Sequence, residues 1–158
     1  MARLRLIRRL LLRFRQVDNR RRALLAEAVA YLLAARLALI FVPFPRLARR
    51  LGTFVPPAAA RATQVATETA PDQTQLAEQI GWAVTRAARY VAFKAVCLPQ
   101  AMAARVMLKR RGVQSVMHFG VAKDTEKPLD AHAWLDAAGV EVTGYPVVNN
   151  FAEIACFV

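Results

Sequence analysis

The sequence predicts an α+β fold in which helices occupy the chain up to about residue 112 and an antiparallel sheet follows. Before residue 112, apolar residues recur at spacings of three and four, as on the buried face of a helix. After it, short runs rich in β-branched and aromatic residues alternate with turn residues. Apolar residues make up 56% of the 158-residue chain and charged residues 22%, which suits one compact core with an appendage.

Residues 1 to 16 predict an amphipathic helix whose polar face is almost purely cationic. Nine arginines lie in the first 22 residues, so the net charge of +12 is concentrated at this end. Such a helix can contact an anionic membrane surface, but a solvated basic face is the simpler interpretation. Without interleaved exposed aromatic residues or a recognised module, we predict no nucleic-acid binding.

The next helix is predicted from about Arg20 to Ile40, and Asp18 or Asn19 can cap its start with a side-chain oxygen. A short basic helix follows at 46 to 51 and ends before Gly52. Residues 53 to 74 contain three prolines among alanine and threonine. We therefore predict a basic helical lobe at 1–52, a connector at 53–74 that contains one or two helical turns, and the main core at 75–158.

The longest apolar tract, from 23 to 44, is interrupted by Glu27 and Arg36. It lacks the uncharged run of about 18 residues that crosses a bilayer, so we predict no transmembrane helix. Two cysteines are too few for a disulfide framework, and no secretory signal is recognisable. We predict a cytoplasmic protein, with contact to the inner face of the membrane through the basic N-terminus as an open alternative.

Cys97 lies where a helix is expected to begin. A helix at about 75–93 leads toward it, and Pro99 is tolerated only in a first helical turn, so the next helix starts within a residue or two of Cys97. That helix ends at Lys109-Arg-Arg-Gly112. A thiol at a helix start lies near unpaired backbone N–H groups, which stabilise a thiolate and can hold the oxyanion of an acyl-transfer intermediate.

His132 lies on one of four predicted strands, at 113–121, 131–135, 140–144 and 154–158. A hairpin turn is predicted at 136–139. A helix-start thiol together with a histidine on the adjoining sheet provides a nucleophile and a general base. Cys97 and His132 are therefore the candidate catalytic pair.

The other potential ligands favour structural roles. Neither histidine is diagnostic alone, and no close spacing such as Cys-x-x-Cys supports a zinc site. The glycines form no phosphate-binding loop, so nucleotide binding is not predicted. Cys156 alternates with apolar residues and is expected to be buried under the sheet.

Three segments carry a family resemblance: Cys97-Leu-Pro-Gln-Ala-Met, His118-Phe-Gly-Val, and Ala131-His-Ala-Trp-Leu with the later Val142-Thr-Gly. They resemble the transglutaminase-like proteins of lasso peptide biosynthesis, cysteine peptidases that remove the leader from a ribosomally made precursor. The resemblance implies a papain/transglutaminase-like core in which the nucleophile helix packs on an antiparallel sheet. It also implies that Cys97 is the nucleophile, that His132 is the general base and that His118 has no catalytic role.

The resemblance leaves the third catalytic residue open. The family often has an aspartate some twelve positions after the histidine, where this chain has Gly144. Asp136 shares a strand face with His132 by the period of two and is the first candidate. The remaining candidates are a backbone carbonyl, a water, a partner protein and the side chains of Asp130, Glu141 and Asn149.

The resemblance further implies the reaction partners. They are the precursor leader, a separate leader-recognition protein and a macrolactam cyclase that resembles asparagine synthetase and consumes ATP, whereas this chain itself takes no cofactor. Two alternatives to the peptidase stay open. One is an acyltransferase or transamidase, in which an amine intercepts the thioester. The other is a non-enzymatic adaptor that binds a membrane or a partner through its basic N-terminus.

Overall fold

A computed structural model describes residues 18–66, 70–122, 130–147 and 151–158. The predicted amphipathic helix at 1–16 and the candidate Asn149 lie outside the described residues. The described chain forms helices first and most of a sheet afterwards, which confirms the α+β class. Its helices are α1 (Asn19–Phe41), α2 (Phe44–Leu51), α3 (Pro57–Ala66), α4 (Pro71–Ala88) and α5 (Cys97–Lys109).

The strands form one antiparallel sheet in the order β1-β5-β2-β3-β4. They are β1 (Phe54–Val55), β2 (Val116–Ala122), β3 (Asp130–Ala137), β4 (Val140–Thr143) and β5 (Ala152–Phe157). The hairpin turn expected between β3 and β4 is present, with Ala138 and Gly139 both at positive φ. Two consecutive positive φ values are typical of the tight turn that matches the right-handed twist of paired strands.

The helix boundaries differ from the prediction where proline and turn residues decide them. α4 begins at Pro71, inside the predicted connector, because proline suits a first helical position. It ends at Ala88 rather than near residue 93. A turn at Arg89 and Tyr90 follows, and α5 begins at Cys97. α3 also lies within the predicted connector. Asp18 does precede α1, but its side chain makes no cap hydrogen bond, so that part of the prediction is wrong.

The two faces of the sheet have different coverings. Met117, Leu135 and Phe157 belong to one hydrophobic cluster with buried residues of α1, α2, α4 and α5. The opposite face carries Val116 and Cys156, which pack against Ala60 of α3. Residues of the predicted helical lobe and of the predicted core therefore share one hydrophobic core.

Helix α1 has one buried side and one exposed apolar side. Its buried residues contribute to the shared core, whereas Val29, Leu33, Leu37 and Ile40 are exposed. By length and composition its 23 residues could also cross a membrane, although core helices of soluble proteins pass the same test. The absence of a transmembrane helix therefore stays a prediction.

Glu27 connects α1 to the end of α5. Its carboxylate accepts hydrogen bonds from both terminal nitrogens of Arg111, at 3.1 and 2.6 Å. These bonds hold the pKa of Glu27 below its ordinary value of 4.5. Because the folded-state pKa is lowered, the stabilisation is present above the ordinary pKa and is lost as the pH falls through the folded value.

Glu27→Gln is therefore expected to lower the free energy of unfolding by roughly 1 kcal/mol at pH 7, since the pair is partly exposed. The difference from wild type should shrink as the pH falls below 4.5, the ordinary pKa of this carboxyl. Urea unfolding at pH 7 and pH 3 measures both values. Glu78→Gln, at an exposed position on α4, is the control. An equal loss at both pH values would show that the Glu27 charge contributes nothing.

Candidate active site

Cys97 is the first residue of α5, and its side chain is half-buried. Val96 is extended and ends the preceding segment, while Pro99 lies buried in the first turn, as the sequence predicts. The side-chain amide of Gln100 donates to the carbonyl of Ala95 at 2.7 Å and fixes the segment that leads into the helix. The thiol therefore lies at a helix N-terminus, where unpaired backbone N–H groups favour negative charge.

The helix that begins with Cys97 packs on the sheet that carries His132. Buried residues of α5, including Met107 and Leu108, belong to the same cluster as Leu135 of β3. His132 lies on β3 opposite Gly120 of β2. The predicted packing of the helix that begins at Cys97 on the sheet that carries His132 is therefore present in the fold.

The ring of His132 is oriented by a backbone carbonyl. Its Nε2 lies 2.6 Å from the carbonyl oxygen of Gly144. A carbonyl only accepts, so Nε2 must carry the proton and donate it, which leaves Nδ1 of the neutral ring as a proton acceptor. The ring also stacks near Trp134, with centroids 6.0 Å apart, and contacts Phe151 at 5.3 Å. At the position where the family often has an aspartate, the main chain of Gly144 therefore contacts the histidine.

Asp136 lies elsewhere in the hydrogen-bond network. Its Oδ2 is 3.1 Å from Nε2 of His118, and its Oδ1 accepts a hydrogen bond from the hydroxyl of Tyr145. It therefore orients His118, whereas the main chain of Gly144 orients His132. Asp130 and Glu141 are both exposed.

The structure does not join Cys97 directly to His132. By strand alternation His132, Trp134 and Asp136 share one sheet face, and α5 packs on the other face through Leu135. In the described parts of the chain no hydrogen bond connects the Cys97 thiol to His132. The catalytic pairing of these two residues stays a prediction.

A second group of polar side chains meets on the face opposite to α5. Cys156 of β5 lies 3.4 Å from Nδ1 of His118, and its thiol donates to Oε1 of Glu153 at 3.0 Å. Nδ1 of His118 is in direct contact with the same carboxylate oxygen. Arg61 of α3 pairs with the other oxygen of Glu153 at 3.0 Å. We call His118, Glu153 and Cys156 the β2–β5 cluster.

Burial and charge set the protonation of this cluster. Burial and the hydrogen bond to Glu153 raise the pKa of the Cys156 thiol to about 12. Burial opposes protonation of His118, but its contacts with Asp136 and Glu153 outweigh it and raise the pKa of that imidazole. Cys156 is fully buried on a strand and is protonated at neutral pH, so it is a poor nucleophile despite its neighbouring histidine.

No local sequence pattern points to the β2–β5 cluster. His118 and Cys156 are 38 positions apart and become Cα partners only through the pairing of β2 with β5. The irregularity in that pairing between Phe119 and Gly120 also changes which β5 residues share a face with His118. A search by close ligand spacing therefore misses the group.

Comparison with known families identifies the domain. The family model for the transglutaminase-like superfamily matches residues 38–156, most of the chain. The chain belongs to the transglutaminase-like superfamily. No curated protein and no solved structure matches it.

Membership in the transglutaminase-like superfamily assigns a coarse chemistry to this chain, of the cysteine peptidase or acyltransferase type. Enzymes of this type need no cofactor, because the thiol and the imidazole perform nucleophilic attack and proton transfer themselves. The family match includes Cys97 and His132, and also every residue of the β2–β5 cluster.

The two cysteines of this transglutaminase-like domain are expected to differ strongly in reactivity. Iodoacetamide near pH 7.5 should label Cys97, which is half-buried at a helix start, at least about 100-fold faster than the buried Cys156. Peptide mapping by mass spectrometry measures both rates, and labelling in urea shows that both thiols can react once the chain is unfolded. Equal rates in the folded protein would contradict the buried, protonated state of Cys156.

Proposed function

We propose that this protein is a cysteine peptidase that removes the leader from a ribosomally made lasso peptide precursor. The class of chemistry follows from the superfamily, and the substrate class is proposed from the segments around Cys97, His118 and His132 that resemble lasso leader peptidases. One structural observation supports the roles most strongly: the hydrogen bond from His132 to Gly144 leaves Nδ1 ready to accept a proton.

The proposed reaction has an acylation step and a deacylation step. The described structure does not join the two side chains, so the proposed reaction requires that they meet when precursor binds. Nδ1 of His132 then takes the proton of the Cys97 thiol, and the sulfur attacks the carbonyl carbon at the leader–core junction. The backbone N–H groups at the start of α5 stabilise the oxyanion. The C–N bond breaks as His132 returns the proton to the departing amine, which leaves the leader as a thioester on Cys97.

Water completes the cycle. His132 takes a proton from water as the oxygen attacks the thioester, and the C–S bond breaks to free the leader carboxylate and the thiol. The other product is a core peptide with a free N-terminal amine. In the proposed setting, an ATP-consuming cyclase that resembles asparagine synthetase joins this amine to an acidic side chain.

The proposal includes a separate leader-recognition protein that delivers the precursor. Reconstitution with precursor, this chain and the recognition protein tests leader removal and partner dependence together. The masses of the products are measured. Cleavage should depend on the recognition protein and yield the leader as its free acid. Cleavage at an equal rate without the recognition protein would contradict partner dependence.

The mass of the leader product also separates the peptidase from the alternative acyltransferase or transamidase. Hydrolysis adds water to the leader, whereas transfer adds the amine supplied in the assay. Adding a primary amine should leave the hydrolysed mass dominant if the protein is a peptidase. A dominant amine adduct would favour the transferase.

Contact with a membrane surface is a second candidate function, favoured by the exposed apolar side of α1. Leu33 and Leu37 lie one helical turn apart on that side, and the adjacent α2 carries Arg46, Arg49 and Arg50. Apolar residues near cations suit the interface of an anionic bilayer. We propose that this side and the basic N-terminus bind the inner membrane surface peripherally.

Sedimentation with vesicles of anionic lipid tests the membrane proposal. The double variant Leu33→Ser, Leu37→Ser should bind these vesicles at least about 10-fold more weakly than wild type, because it loses apolar area for insertion. Ala34→Ser, at an exposed position on the same helix, is the matched control. Unchanged binding by the double variant would remove α1 from the contact surface.

A further inference from the structure

The β2–β5 cluster brings together three side chains that commonly bind transition metals. Nδ1 of His118, a carboxylate oxygen of Glu153 and Sγ of Cys156 all lie within 4.8 Å of one another. Imidazole, carboxylate and thiolate are the ligands that zinc takes in proteins. The reaction proposed for Cys97 and His132 uses none of the three residues.

We propose that His118, Glu153 and Cys156 form a zinc-binding site. Three protein ligands leave a fourth tetrahedral position for a water or for one further ligand. The site would connect β5 to β2, the central strands of the sheet, and would hold the end of the chain in the fold.

The separation of the sulfur and the ring nitrogen fits tetrahedral zinc. With Zn–S near 2.3 Å and Zn–N near 2.0 Å, a tetrahedral angle places sulfur and nitrogen about 3.5 Å apart. Sγ of Cys156 and Nδ1 of His118 are 3.4 Å apart. Oε1 of Glu153 lies closer to both atoms than this, at 3.0 Å from Sγ, so the carboxylate would have to move away from them to become a ligand.

The surrounding groups orient the ligands as in known metal sites. Asp136 contacts Nε2 of His118 at 3.1 Å, so Nε2 keeps a proton and Nδ1 offers its lone pair to the metal. The ring of Trp134 stacks on His118 with an interplanar angle of 3°. Arg61 binds Oε2 of Glu153, which leaves Oε1 for the ion.

The charges around the site also balance. A divalent ion with the Cys156 thiolate and the Glu153 carboxylate is neutral. Asp136, which contacts His118, and Arg61, which contacts Glu153, add one negative and one positive charge. Metal binding would displace the thiol proton and the proton shared between His118 and Glu153 into solvent. Cys156 is fully buried and His118 nearly so, so these two ligands are shielded from bulk water.

Cobalt titration of the full chain tests the site directly, because Co²⁺ takes tetrahedral zinc positions and gives a near-ultraviolet charge-transfer band when a thiolate is a ligand. We expect the band to saturate at one equivalent and to disappear on addition of Zn²⁺. Cys97→Ser should keep the band, whereas Cys156→Ser should lose it. No thiolate band in wild type, or loss of the band only in Cys97→Ser, would overturn the proposal.

A second pair of variants tests the site even if Cys156→Ser does not fold. Asp136→Asn should weaken zinc affinity about 10- to 100-fold through the orientation of His118 while the thiolate band is retained. Glu141→Gln, at an exposed position on β4, should not change the affinity. X-ray absorption of the zinc-loaded wild type should show one sulfur ligand with nitrogen and oxygen ligands. A shell without sulfur, or equal affinity in the two carboxylate variants, would contradict the site as described.

Discussion

Replacing Cys97 with alanine should lower the rate of precursor cleavage by at least about 10³-fold, since the proposed thioester cannot form without the sulfur. α5 should still form, because alanine has the highest helix propensity. Cleavage in the reconstituted system, followed by mass spectrometry, gives the rate, and thermal unfolding shows whether the fold is kept.

Val106→Ala provides the control for this experiment. Val106 is exposed on the same helix, so its truncation reports any general effect of altering α5. It should cleave within about 2-fold of wild type, since exposed substitutions away from a site change little. A Cys97→Ala protein that is folded and processes precursor at the wild-type rate would exclude Cys97 as the nucleophile.

Replacing Gly144 with alanine should lower the free energy of unfolding by about 3 kcal/mol. Two effects add to this loss: alanine is disfavoured in the left-handed backbone conformation, and its Cβ atom would clash with neighbouring atoms. Gly144 has φ +86°, and a Cβ atom there would lie 2.5 Å from the carbonyl oxygen of Ala133 and 2.8 Å from Cα of Trp134. Backbone atoms cannot move aside cheaply, so the carbonyl that binds His132 would shift. Urea unfolding measures the stability, and the cleavage rate should fall as well.

Gly139→Ala separates the cost of the backbone conformation from the cost of the steric clash. Gly139 has a similar φ of +74°, but a Cβ atom there meets nothing within 4 Å. Its substitution should cost about 1 kcal/mol, from backbone conformation alone. Equal losses in the two variants would contradict the close approach at Gly144. Gly144→Asp carries the same Cβ and should be destabilised too.

The helices and the hairpin could be predicted because their signals are local. Pro99 fixed the start of α5 at Cys97, and the turn before Val140 produced the β3–β4 hairpin. The helix inside the connector, α3, is longer than the one or two turns expected there, because Pro57 begins the helix instead of breaking it. Local propensity therefore identified most elements but not every boundary.

The contacts of the site residues depend on strand register, which a single sequence does not fix. Alternation correctly placed His132 and Asp136 on one sheet face, but the pairing of β2 with β3 puts Asp136 beside His118. The partner of His132 is a main-chain carbonyl, and any residue type can offer one. The sequence therefore identified the chemical groups of the site better than their partners.

In the proposed reaction, Cys97 carries the leader as a thioester. Acid quench of the reconstituted reaction tests for this thioester most directly. Digestion and mass spectrometry of the quenched protein locate the covalent adduct, and brief hydroxylamine treatment shows whether it is a thioester. We predict a hydroxylamine-sensitive leader adduct on the Cys97 peptide that appears before free leader accumulates. An adduct on Cys156, or cleavage that proceeds without a covalent adduct on either cysteine, would contradict this account.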